Sequence, residues 1–114
     1  MLLTKEFIFH SAHRLTGKVK EPLHGHSYRL QVTVEGKPNK EGIIILFQDL
    51  EKIVKEKALQ KLNHSYLNTL MTQPTAENIA IWIWNKLKND KRFSLYEVKL
   101  WETPTSFITY HGEE

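Results

Sequence analysis

A chain of 114 residues with 40% hydrophobic and 25% charged residues can bury one core but not two, so a single domain over residues 1–114 is expected and disorder is excluded. The formal charge of +3 permits an anionic small-molecule partner without giving a nucleic-acid footprint, and neither a signal-peptide pattern nor a membrane-length apolar run is present, so the expectation is a cytoplasmic protein with no membrane or nucleic-acid partner. The absence of cysteine excludes disulfides, thiolate metal sites and a cysteine nucleophile, and leaves His, Asp or Glu to hold any metal.

Residues 2–13 alternate, with Phe7, Phe9, Ser11 and His13 on one face and Ile8, His10 and Ala12 on the other, which predicts a first strand. After a loop containing Gly17, Lys18, Lys20, Glu21 and Pro22, alternation resumes: His24, His26, Tyr28, Leu30, Val32 and Val34 face a core. Beyond the turn at Gly36–Asn39, Phe47, Leu50, Val54, Ala58 and Leu62 recur at helical spacing and predict an amphipathic helix of about four turns, ending near Asn63. A second helix is expected after Pro74, with Thr75 as N-cap, Glu77 in its first turn and a buried stripe of Ala76, Ile79, Ala80, Ile83 and Leu87. Tyr96, Val98, Leu100 and Glu102 share one phase of a third strand, and a turn at Thr103–Ser106 leads to a last strand ending at Tyr110. The order β-β-α-α-β-β predicts an α+β architecture, a four-stranded antiparallel sheet with two helices on one face.

The chemistry-bearing pattern is His24-Gly25-His26. Residues two apart on a strand point the same way about 6.6 Å apart, so two imidazoles can converge on one ion. Either His10 or His13 on the pairing strand can supply a third ligand. Three histidines with an open position suit a catalytic zinc that polarises a substrate hydroxyl or carbonyl; the plainer alternative is a pair of hydrogen-bonded structural histidines. Glu102 stands on the apolar phase of its strand, where a carboxylate must be paired or hold a ligand, unless it is a partly exposed strand end. Glu21, three residues before His24, is close enough in the chain to act as a general base, or is simply solvated. His64 can relay a proton or merely complement a helix C-terminus. Lys18 and Lys20, ordinarily solvated, are placed to steer a phosphate. The three tryptophans read as packing residues.

The segments Phe9-His10-Ser11-Ala12-His13-Arg14-Leu15, Leu23-His24-Gly25-His26-Ser27-Tyr28, Pro74-Thr75-Ala76-Glu77-Asn78 and Trp101-Glu102-Thr103 together resemble the 6-pyruvoyl-tetrahydropterin synthase family. The resemblance implies the tunnelling fold, with sheets joining into a trimeric barrel, barrels stacking to a hexamer and sites at subunit interfaces. It also implies a zinc ion on His13, His24 and His26, with His13 chosen over His10 because the family ligand follows a Phe-x-x-Ala step. The implied substrate is 7,8-dihydroneopterin triphosphate, its pterin ring anchored by Glu102 with Thr75 and Glu77 lining the pocket.

Two departures refine this. Family members making pyruvoyl or carboxy products carry a cysteine before the H-G-H motif, where this chain reads Glu21-Pro22-Leu23-His24. That pattern resembles the glutamate-bearing subgroup, which cleaves the side chain and releases 6-hydroxymethyl-7,8-dihydropterin. Glu21 is then the base, with His64 as assisting acid or base. The family's Asp-His dyad reads Asn63-His64 here, and an amide orients a histidine without stabilising its imidazolium as a carboxylate does. Rival readings are a pyruvoyl or carboxy synthase, a non-catalytic zinc- or pterin-binding protein, and a basic nucleic-acid-binding module, for which no interleaved basic and aromatic motif is present.

Overall fold

In the computed structural model, which describes residues 1–113, two long strands, β1 (Leu2–Leu15) and β2 (Glu21–Glu35), form an antiparallel hairpin. Cross-strand pairs Phe7 with Leu30, Phe9 with Tyr28, Ser11 with His26 and His13 with His24 put the apolar phase of both strands on one face. The hairpin runs further than the alternation indicates. Past a bulge after His13, Leu15 pairs with Glu21, so Glu21 opens a strand instead of sitting in a loop. The turn between them is eased by Gly17 at φ 80°, a conformation glycine adopts without steric cost.

β2 pairs with β4 (Ser94–Thr103), and β4 with β5 (Ser106–Tyr110), both antiparallel. The expected sheet of four strands gains a fifth: β3 (Ser65–Tyr66) pairs in parallel with Ser11 and Ala12, giving the order β3-β1-β2-β4-β5. Two residues carry no periodicity to read. Tertiary bonds create this strand: the Ser11 hydroxyl donates to the Leu62 carbonyl, and the His64 amide donates to the His10 carbonyl at 2.6 Å.

The first helix is one continuous rod of three parts: α1 (Phe47–Val54), a π-helical turn (Lys55–Leu59) and α2 (Gln60–Leu62). Its buried Leu50, Val54, Ala58 and Leu62 are four residues apart throughout. That spacing outruns the roughly 3.6 residues of an α turn, and the wider π turn absorbs the excess, keeping all four on the core side. Phe47, placed by spacing on the same stripe, is instead 56% exposed, because it precedes the first complete turn. The other helix, α3 (Ala76–Leu87), starts as expected: the Thr75 hydroxyl accepts the Asn78 amide at 3.1 Å and Glu77 lies in the first turn. Ile79, Ala80, Ile83 and Leu87 are buried. One hydrophobic cluster joins these residues to Phe7, Phe9, Leu30, Val98 and Leu100 of the sheet, so the helices cover one face.

Asp90, in the turn after α3, ties the two helices together. Its side chain is 2% exposed and receives Lys57 Nζ at 2.8 Å and Arg92 Nη2 at 2.6 Å, with Arg92 Nε at 2.9 Å. The Arg92 guanidinium, helped by Lys57, holds the Asp90 carboxyl well below the usual carboxylate range. Asp90→Ala should lower stability by about 1–2 kcal/mol, the low end for charged hydrogen bonds because both cations remain partly solvated. A group whose pKa is depressed by folding contributes fully above its unfolded value, near pH 4, and loses that contribution as the pH falls through the folded value. Denaturant unfolding should therefore separate the variant from wild type at pH 7 and show convergence in strong acid. A constant gap across that range would mean the residue acts through packing alone.

Candidate metal centre and adjoining cavity

The hairpin register delivers the three imidazoles. His13 and His24 are directly paired, and His26 opposes Ser11 on the same face, so the rings lie with centroids 4.6, 5.1 and 4.7 Å apart. One nitrogen from each falls within 4.8 Å of the others. Two backbone carbonyls fix the tautomers. His13 Nδ1 donates to the Pro74 carbonyl at 2.7 Å and His24 Nδ1 to the Pro22 carbonyl at 2.6 Å, which leaves both Nε2 atoms as bare lone pairs.

Those lone pairs face each other at 3.1 Å, an arrangement that a shared cation resolves. His26 Nε2 is buried without a hydrogen-bond partner, and burial lowers the His26 pKa against the opposing pull of Glu102. Two imidazoles oriented by backbone carbonyls and a third with an unsatisfied buried nitrogen make a donor set suited to a divalent metal. His10 is excluded from it. Its ring lies on the opposite face, with Nδ1 2.9 Å from the Ser27 hydroxyl.

Two carboxylates flank the cluster: Glu21 Oε1 is 3.7 Å from His24 Nε2, and Glu102 Oε1 is 3.8 Å from His26 Nε2. Both open onto a cavity of about 230 Å³ whose walls include Leu15, Thr75, Glu77 and Phe107. Glu21, Thr75, Glu77 and Glu102, spread over 82 positions of sequence, thus converge on one concave site beside the histidines. Thr75 is held there by its own capping bond.

His64 is not brought to this site within the chain. The parallel pairing of Ser11 with Ser65 puts His64 on the same side as His10, and the two rings lie nearly parallel at 6.0 Å. Asn63 does not orient that ring; its Oδ1 accepts the His10 amide at 3.0 Å. His64 itself takes φ 55°, a left-handed conformation uncommon for a side-chain-bearing residue and frequent at functional positions. Lys18 is exposed in the hairpin turn, and Lys20 lines a separate cavity against Glu21.

Sequence reading overlooked Tyr28 as a polar residue. Its ring stacks on Phe9 at 4.8 Å and meets His26 edge-on at 5.5 Å, while its buried hydroxyl has no partner. Burial, with Glu102 and Glu21 nearby, pushes its pKa upward and keeps it neutral. The alternation placed it correctly on the ligand face; the state of its hydroxyl depends on neighbours that only folding supplies.

Comparison with known proteins agrees with this geometry. A 6-carboxy-5,6,7,8-tetrahydropterin synthase of Haemophilus influenzae is 37% identical over 95% of this chain and 96% of its own. A dihydroneopterin monophosphate aldolase of Pyrococcus furiosus is 38% identical over 78% of this chain and 82% of its own. The solved structure of Caenorhabditis elegans 6-pyruvoyl tetrahydropterin synthase superposes with a TM-score of 0.86 at 26% identity, covering 99% of this chain and 96% of that one. The sequence profile of 6-pyruvoyl tetrahydropterin synthase matches residues 2–113, and with a histidine trio, flanking carboxylates and sheet order in place, the chain belongs to that family and has its tunnelling fold.

Proposed function

We propose that the protein is a zinc-dependent, cytoplasmic pterin lyase that acts on 7,8-dihydroneopterin triphosphate and releases 6-hydroxymethyl-7,8-dihydropterin. The observation that carries this reading is the Glu21 carboxylate 3.7 Å from a metal-site nitrogen in a chain without cysteine. The Pyrococcus relative, named as an aldolase, lends support.

In this reading Glu102 accepts paired N–H groups of the pterin ring, and Thr75 and Glu77 close the pocket around it. A zinc ion on His13, His24 and His26 supplies Lewis-acid polarisation of the side-chain hydroxyls. Glu21 takes the proton from the second side-chain hydroxyl. The bond between the first and second side-chain carbons then breaks, leaving an aldehyde on the phosphate-bearing fragment and its electron pair on the ring-side carbon. A proton returned to that carbon completes the hydroxymethyl product. His64, on the far face of its own sheet, would serve a neighbouring copy. Among the described residues β5 is the last strand of the sheet at one side, and at the other β3 covers only Ser11 and Ala12 of β1, an arrangement that suits sheet-to-sheet joining into a trimer and stacking to a hexamer.

The zinc-loaded protein incubated with 7,8-dihydroneopterin triphosphate should yield 6-hydroxymethyl-7,8-dihydropterin and no triphosphate. The Haemophilus relative's name favours a second reading, in which a carboxy- or pyruvoyl-pterin is formed; chromatography of the product decides. No pterin product at all would point to a non-catalytic zinc- or pterin-binding protein, a reading that the Asn63 substitution favours.

Glu102→Gln should weaken binding of a product-like pterin by about tenfold or more, since one acceptor is replaced by a mismatched donor. Zinc content should stay as in wild type. Unchanged pterin affinity, measured by fluorescence titration, would reduce Glu102 to a strand-end charge.

A further inference from the structure

Next to the cavity beside the histidines lies a larger one of about 550 Å³, walled by Arg14, Thr16, Lys20 and Leu23. The two share Leu15 and Glu21. Their charges differ in sign: the smaller holds the carboxylates of Glu21, Glu77 and Glu102, the larger a guanidinium and an ammonium against Glu21 alone. We propose that the larger cavity is the subsite for the phosphate end of the substrate, with Arg14 and Lys20 as its charge-bearing contacts. This rests on the pterin-lyase reading above and specifies how the substrate lies.

Three observations carry it. First, the bond to be broken lies between ring and phosphate ester, so the base must stand between the groups that hold each end. Glu21 is on the wall common to both cavities. Second, a polyphosphate is repelled by the carboxylate-lined cavity and attracted by the basic one, where Arg14 offers a planar fork for phosphate oxygens. Lys18, exposed in the adjoining turn, adds to the same field.

Third, the wall that carries Arg14 is fixed in advance. β3 pairs only with Ser11 and Ala12, so the end of β1, paired with β2 on its inner side, has no strand along its outer edge. Two side-chain amides take that place. Asn68 accepts the Arg14 amide and donates to its carbonyl, each at 2.9 Å. Gln73 accepts the Thr16 amide at 2.9 Å and donates to its carbonyl at 2.8 Å. With the backbone held, binding has only the Arg14 side chain left to order.

The test uses full-length, zinc-loaded Arg14→Gln and Lys20→Gln proteins, with Lys37→Gln at the distant turn as control. For 7,8-dihydroneopterin triphosphate, each cavity variant should raise KM about tenfold or more, with a smaller effect on kcat, and the salt dependence of KM should flatten. Affinity for 6-hydroxymethylpterin, which has no phosphate, should not change. Lys37→Gln should match wild type throughout. Equal losses for phosphorylated and unphosphorylated pterins, or no loss for either, would overturn the assignment. Inorganic phosphate gives a readout free of turnover: its phosphorus resonance should broaden with wild type and not with the double variant. Phosphate binding lost in the double variant of a protein that turns over no pterin would uphold the basic cavity and remove the lyase reading. Retained phosphate binding in that variant would remove the cavity whatever the chemistry.

Discussion

Replacing His24 or His26 by alanine is expected to release most of the metal and abolish turnover. In the wild type, metal analysis should find about one zinc per chain. Loss of a supporting hydrogen-bond partner alone costs about 10–100-fold in metal affinity, and loss of a ligand should exceed that, because two imidazoles leave the ion to water. Competition with a chromophoric chelator measures the change. His10→Ala is the informative control: its ring is engaged with Ser27 on the other face, so zinc should remain. Metal lost with His10→Ala and kept with His24→Ala would reject the site outright.

Glu21→Ala should slow turnover by about a hundredfold or more while leaving zinc bound, the usual consequence of removing a general base. The separation of these readouts follows from position: Glu21 lies 3.7 Å from the nearest imidazole nitrogen and is not one of the three converging ligands. Glu21→Cys tests which bond the position selects. A thiol there should shift part of the product toward a carboxy- or pyruvoyl-pterin, at reduced rate because cysteine reaches less far. Wild-type rate and product from Glu21→Ala would make Glu21 a solvated strand end and leave the choice of chemistry to other groups.

Much of the site was legible because strands write their geometry into alternate positions. The phase of Phe7 and Phe9 carried His13 onto the core face, and the H-x-H spacing put His24 and His26 on one side of their strand; the family resemblance chose His13 over His10, and in the structure it is His13 that pairs with His24. The N-cap at Thr75 was equally plain, since a hydroxyl before an apolar-periodic run has a local job. What escaped depends on non-local bonds. Glu21 reads as a loop residue because the Leu15–Glu21 pair lies beyond a bulge that alternation cannot register. β3 exists only through the bonds that Ser11 and His10 make to the end of the first helix. The carbonyls of Pro22 and Pro74, which set the tautomers of His24 and His13, belong to the backbone and leave no mark in side-chain pattern.

The two amides that stand in for a missing strand also set how this protein ages. Asn68 and Gln73 each use a carbonyl oxygen toward a backbone N–H and an NH₂ group toward a backbone carbonyl. Slow hydrolysis to Asp or Glu keeps the first bond and turns the second into a meeting of two acceptors, one of them charged. The end of β1 is then pushed away where it is now clasped. Stored preparations should accumulate chains with an added negative charge and a frayed strand end next to intact metal ligands, so that loss of activity precedes loss of zinc.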